Sequence, residues 1–297
     1  MIAPQSLHTF SFFSLLFSFF TAPFIYGGII LQKLIVLGTG NAMVSKCYNT
    51  CFVLRLNSMD FLTDCGGGNG IFKQLDAADI KRTSIHEMFI THEHCDHILG
   101  AVWMLRAIAT AMLADKYDGN FTVYCHDGLV EKIRAMCNFT LQKKMTALFD
   151  KRIIFKAVAD GETLKIAGCK TTFFDIGSTK ARQFGYKMEL PDGKTLAFMG
   201  DEPVAPHCEK YVQNAHWLLC EAFCLYAQAD KFKPCEKHHS TAKDAAELAE
   251  RLNVQNIVLW HTEESDLANR KKNYTAEAKN YFSGGIFVPD DLDEINL

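Results

Sequence analysis

"THEHCDHILG", residues 91–100, places His92, Glu93, His94, Asp96 and His97 within six consecutive positions. The whole chain of 297 residues carries only 11 histidines, so three in one hexapeptide call for a chemical reason. The preceding "EMFI" is apolar and strand-like. On a strand ending near His92, alternation sends His92 and His94 to the same side. Asp96 and His97 then fall where the chain turns into a following helix, so one loop presents four donors in two pairs. Imidazole nitrogen with carboxylate oxygen suits zinc, with manganese or iron as alternatives. Cys95, in the middle of the cluster, is expected to pack behind the loop rather than to ligate.

Working outward, short apolar runs recur and end in Gly, Asp or His: "KLIVLGTGN", "TCFVLRL", "DFLTDCGGG", "FTVYCHD", "RIIFKAV", "KTTFFDIG", "KTLAFMGDE", "HWLLCEAF" and "QNIVLWHTE". Rich in β-branched and aromatic residues, each reads as a strand running into a loop. Helical patterns occupy 97–113 and 241–252, the second with Ser240 and Thr241 as N-cap candidates. Asp192-Gly193 signals a hairpin between two strands. The pattern predicts two packed sheets with helices outside, a single α/β domain of four layers. Two more strand ends supply donors, Asp201 and His261. His126 also follows a strand and is a weaker candidate to approach the cleft.

At 48% hydrophobic and 22% charged residues the composition is that of an ordinary globular protein. The net charge of −3 argues against a large nucleic-acid partner. The best local basic patch, Lys143, Lys144, Lys151 and Arg152, reads as a solvated face. Eleven cysteines, an odd number with no CxxC pair, exclude a cysteine-rich structural zinc site and point to a reducing cytoplasm. Residues 1–31 contain no Lys, Arg, Asp or Glu. That segment can be read as a membrane anchor through residues 10–31, a cleaved signal, or an extension outside the working protein. The cysteine usage favours the third reading, with the working domain at 33–297 and a cytoplasmic location.

"LGTGNA", "FLTDCGGG", "FITHEHCDHILG", "FMGDE", "LCEAF", "HHSTAKDAAELA" and "IVLWHTE" follow one another in an order that resembles the metallo-β-lactamase superfamily. The likeness is to its ribonuclease Z-like branch and spans about residues 33–262. The resemblance implies an αββα sandwich and a metal-dependent hydrolase, a phosphodiesterase above all. His92 and His94 would bind one ion. Asp96, His97 and His261 would bind another, Asp201 would bridge them, and Asp64 would support the ligands from behind. Besides Asp96, the implied catalytic groups are His239, which helps to protonate the leaving oxygen, and Glu221, which orients it. Bound ions would lower the pKa of a water and polarise the phosphoryl oxygens. Another ester, a thioester or a lactam remains an alternative substrate. Homodimers are common in the branch.

Two departures from the branch shape the expectations. Its further histidine ligand, at a strand end before a Gly-Tyr or Gly-Phe, has no counterpart in "TTFFDIGSTKARQFGYKM", where Gly177 stands at the expected position. The first site is therefore expected to be weakened, and a metal-binding protein with impaired or no catalysis is the rival reading. The arm with which that branch grips transfer RNA also finds no room between Gly177 and Asp201. A small phosphodiester or short nucleic acid, rather than precursor transfer RNA, is the expected substrate.

Overall fold

Burial, more than local propensity, decides this architecture, because the central strands are buried on both faces. In the computed structural model, which describes residues 31–297, the first half of the chain forms β1 (Gln32–Gly38), β2 (Cys51–Leu56), β3 (Met59–Thr63), β4 (Ile85–Phe89), β5 (Phe121–His126) and β6 (Ile153–Val158). The second half forms β7 (Thr163–Ile166), β8 (Cys169–Asp175), β9 (Phe184–Glu189), β10 (Thr195–Phe198), β11 (Trp217–Glu221), β12 (Asn256–Trp260), β13 (Gly285–Phe287) and β14 (Glu294–Asn296). One sheet has the order β14-β1-β2-β3-β4-β5-β6, the other β13-β12-β11-β10-β9-β8-β7. The apolar segment within residues 1–30 lies outside the described residues.

Alternation gives each strand one face for the partner sheet and one for a helix layer. Along β2, Phe52 and Leu54 enter the seam between the sheets, whereas Val53 joins the cluster under the outer helices. The seam is aromatic: Phe52 stacks on Trp260 at 4.9 Å and meets Phe198 edge-on at 5.1 Å. Tyr186 closes it from β9 and shares a hydrogen bond of 3.0 Å with the Thr63 hydroxyl. Fully burying a side chain of this size contributes roughly 1.5–3 kcal/mol, so the seam dominates what keeps the two sheets together. Apolar faces of the helices Gly70–Ala77, Cys95–Leu113 and Asp127–Thr140 cover the first sheet. Ala242–Arg251 and Leu267–Ala278 cover the second. The four-layer αββα sandwich expected from the sequence is thus the observed fold.

Details of that expectation also hold. The strand β4 runs out at Phe89 and the helix opens at Cys95, which leaves residues 90–94 as the ligand-bearing loop. Thr241 caps Ala242–Arg251 in a reciprocal capping box with Asp244. The chain reverses between β9 and β10 at Asp192-Gly193, where Gly193 adopts φ +89°. The Arg152 guanidinium donates to the carbonyls of Tyr117 and Gly119. Cys95 is a correction: as the first helical residue it turns outward and is exposed. Among the described residues one helix, Cys95–Leu113, is long and apolar enough to cross a membrane, and it is packed into the core of the first sheet.

Candidate metal centre

The loop after β4 is held by Asp64, which ends β3 and adopts a left-handed φ of +55°. Its Oδ1 accepts from the Thr91 N–H at 2.9 Å and its Oδ2 from the Thr91 hydroxyl at 2.8 Å. The same Oδ2 accepts from His97 Nδ1 at 2.7 Å. A ring whose Nδ1–H is committed to a carboxylate presents Nε2 as a lone pair, the tautomer a metal needs. His97 Nε2 is buried and has no hydrogen-bond partner. It faces Asp96 Oδ2 at 3.2 Å and Asp201 Oδ2 at 3.6 Å.

The second sheet brings the remaining donors. Asp201 follows β10 by way of Met199 and Gly200, and His261 follows β12 directly in a left-handed conformation of φ +56°. His261 Nε2 lies 3.5 Å from Asp201 Oδ2. His92 Nε2 lies 3.7 Å from the same oxygen. His92 Nε2 and His94 Nδ1 converge to 2.8 Å. Two buried donor groups emerge, Asp96–His97–His261 and His92–His97–Asp201, the donor atoms of each lying within 4.8 Å of one another. The orphaned His97 nitrogen and the all-imidazole-and-carboxylate donor set fit a divalent ion such as zinc. Asp96, His97 and His261 would hold one ion, and His92, His97 and Asp201 form the second group that could hold another.

The electrostatics are those of a site prepared for positive charge. Burial alone would raise Asp201, but His92, His97 and His261 around it hold its carboxyl well below the usual range. Burial opposes charge on His97, yet Asp96 and Asp64 outweigh it and raise this ring well above an ordinary histidine. Burial pushes His92 well down, and His261 to about 4.

Opposite the donors stands His239. Its ring stacks on Phe223 at 5.0 Å, and its Nδ1 lies 3.6 Å from Glu221 Oε2, an ion-pair distance rather than a hydrogen bond. Glu221 is buried at the end of β11, and its other oxygen accepts from the N–H and the hydroxyl of Ser240. Ser240 therefore anchors Glu221, and capping falls to Thr241 alone. Burial lowers His239, but the Glu221 carboxylate more than offsets this and raises it. Burial raises Glu221 in turn. Around these groups opens a cavity of about 770 Å³ lined by His94, Asp96, Asp201, His239 and His261, with Lys46, Lys180 and Lys237 also on its wall.

Gly177 and His126 do not line the cavity. Gly177 has φ +77°, and a Cβ there would lie 2.6 Å from His207 Cε1. The side chain that reaches the first donor group from this segment is Gln183, which sequence reading missed; Nε2 contacts His92 Nδ1 at 3.0 Å and Asp201 Oδ1 at 2.6 Å. His126 is buried ahead of the helix Asp127–Thr140, with Glu93 Oε2 at 3.9 Å, and is not part of the cavity wall. Between Gly177 and Asp201 there is only a short loop and the β9–β10 hairpin.

A family model described as "Anti-Pycsar protein Apyc1" matches residues 32–279. Ribonuclease Z of Methanothermobacter thermautotrophicus is 26% identical over 270 residues, which cover 78% of this chain and 86% of that protein. The metallo-β-lactamase fold protein YhfI of Bacillus subtilis superposes with a TM-score of 0.72 at 16% identity, over 89% of this chain and 99% of its own. The short form of human tRNase Z superposes with a TM-score of 0.68 at 22% identity, over 89% and 98%. The two structural likenesses speak to the fold.

Proposed function

The chain belongs to the family of the anti-Pycsar protein Apyc1, on the ribonuclease Z-like branch of the metallo-β-lactamase fold, and on that premise we propose that it is a metal-dependent phosphodiesterase. The observation that carries this is the placement of a carboxylate-backed His239 across one cavity from two adjoining metal-capable donor groups. When bound, divalent ions supply an activated water and charge neutralisation for a phosphoryl group. The residues of the chain do the rest. Asp64 and Thr91 fix the donor loop before any ligand arrives, and Asp201 brings its carboxylate from the second sheet to face His92 and His97. The Glu221 carboxylate favours the protonated form of His239, which has an N–H to offer the oxygen that leaves. A thioester expels a thiolate and has little need of such a donor, whereas the alkoxide of a phosphodiester departs more readily with one.

Lys46, Lys180 and Lys237 stand on the wall beside Glu263 and Glu264 and offer cationic contacts to a phosphate. Among the described residues no protruding arm stands between Gly177 and Asp201, which favours a small phosphodiester or a short nucleic acid over precursor transfer RNA as substrate. Turnover of bis(p-nitrophenyl) phosphate by zinc- or manganese-loaded protein tests the reading. Hydrolysis that is lost in His239→Ala and in chelator supports it. Absence of turnover in protein shown to hold two ions would refute it.

A further inference from the structure

We infer that Gln183 is a positioning residue for both metal sites and that it acts through Asp201. The inference rests on the reading that the cluster holds metal ions and is independent of the substrate. Gln183 is 1% exposed and immediately precedes β9. Its backbone is pinned on both sides, since Ile176 N–H donates to its carbonyl and the next residue, Phe184, donates to Thr91 O in the ligand loop. Its side chain occupies a space that the protein leaves for it. The residue before Asp201 is Gly200, at φ +74°, and a Cβ there would lie 2.7 Å from Gln183 Nε2.

The chemistry fixes which way the amide points. At 2.6 Å from Asp201 Oδ1 the amide atom must be the NH₂, because an oxygen would set two acceptors against each other. This donor satisfies Oδ1 and leaves Oδ2 as the one oxygen of Asp201 that faces His92, His97 and His261. The contact of Gln183 with His92 Nδ1 is the secondary one. A His92 that ligates through Nε2 carries its hydrogen on Nδ1, and Thr91 Oγ1 at 2.9 Å is there to accept it. Asp201 Oδ2 lies 3.7 Å from His92 Nε2 in one donor group and 3.5 Å from His261 Nε2 in the other, so locking its carboxylate acts on both groups together. That distinguishes a positioning residue from a substitute ligand for the first ion alone.

Gln183→Met keeps the unbranched length and the burial while removing the N–H. Zinc titration calorimetry on metal-free protein, with elemental analysis of the same samples, reads the two dissociation constants. Both are expected to rise by about 10- to 100-fold, the usual consequence of losing a partner behind a metal ligand. A rise confined to one ion would make Gln183 a ligand and overturn the inference. Two unchanged constants would make it a space-filler and overturn it as well. Should the variant fail to fold, a crystal structure of the zinc-loaded wild type decides. Gln183 Nε2 on Asp201 Oδ1 supports positioning, and Gln183 Oε1 bonded to an ion refutes it. Because each readout is metal binding or coordination, failure here is separable from failure to hydrolyse a phosphodiester.

Discussion

Asp64→Asn is the most informative single change, because it keeps the shape of the side chain while altering its hydrogen bonding and removing the charge beside His97. Asp64 stands at φ +55°, a conformation that Asn tolerates as well as Asp, so the backbone gains no strain. The carboxylate accepts three donors, from Thr91 N, Thr91 Oγ1 and His97 Nδ1. An asparagine cannot accept all three. With its oxygen toward His97, its NH₂ opposes the Thr91 N–H, and a buried donor is left without a partner. With its oxygen toward Thr91 N, its NH₂ faces His97 Nδ1 and favours the tautomer whose Nε2–H cannot ligate. Either outcome costs about 1–3 kcal/mol, the penalty for one unsatisfied buried polar group. At 1.4 kcal/mol per tenfold this weakens metal binding roughly 5- to 100-fold if the cost falls on the bound state. Calorimetric titration of zinc into metal-free wild type and variant measures it, with the melting temperature of each metal-free protein showing how much of the cost falls on folding. Affinity within twofold of wild type, with an unchanged melting temperature, would show that Asp64 does not set the His97 tautomer.

Other changes have equally definite outcomes. Glu221→Gln removes the charge that raises His239, so the pKa of His239 falls; since the protonated ring is the active form, the alkaline limb of the pH–kcat profile for a generic phosphodiester should move to lower pH, with the metal content unchanged. An alkaline limb that stays in place would exclude Glu221 as the partner of His239. Gly177→His should not add a metal ion by elemental analysis, because the side chain collides with His207 in a left-handed backbone, and the strain should cost about 1–3 kcal/mol in urea unfolding. A gain of one ion in that variant would restore residue 177 as a ligand position. Removing metal with a chelator should lower the melting temperature, by the equivalent of about 2.7 kcal/mol where free ion had stood at a hundred times its dissociation constant. An identical melting curve with and without chelator would mean that the donor groups do not hold metal in the folded state.

How far the sequence discloses this site depends on whether the partners are local. His92, His94, Asp96 and His97 are legible because one loop carries them all. Asp201 and His261 are legible because each ends an apolar run. Gln183 is not, because its contact with His92 spans 91 positions and exists only once β9 has docked beside the ligand loop. The vacated space at Gly200 is equally invisible before the fold is known. Ser240 reads locally as a helix cap, yet its hydroxyl and N–H are drawn to a buried carboxylate 19 residues away. The missing strands follow the same rule. β14 is three residues long, and its pairing of Asn296 with Lys33 joins the two ends of the described chain. A tripeptide carries too little periodicity to announce such a partner.

The donors divide between the sheets in a way that couples metal to fold. His92, His94, Asp96 and His97 belong to the loop and helix after β4, in the first sheet, whereas Asp201 and His261 close strands of the second. Neither donor group is complete in one sheet, since each takes His97 from the first and Asp201 or His261 from the second. The residue ahead of His261 is Trp260, which stacks on Phe52 of the first sheet in the aromatic seam. The same contact that buries the seam therefore sets the distance between the two halves of the metal centre. A Phe52→Ala cavity would cost about 3–5 kcal/mol in stability and at the same time loosen the position of His261. Bound metal would in turn favour the packed arrangement of the sheets, because only that arrangement assembles the donors. With metal bound as proposed, the donor cluster would be the last contact of the sheet–sheet interface, and its occupancy would belong to the stability of the fold as much as to its chemistry.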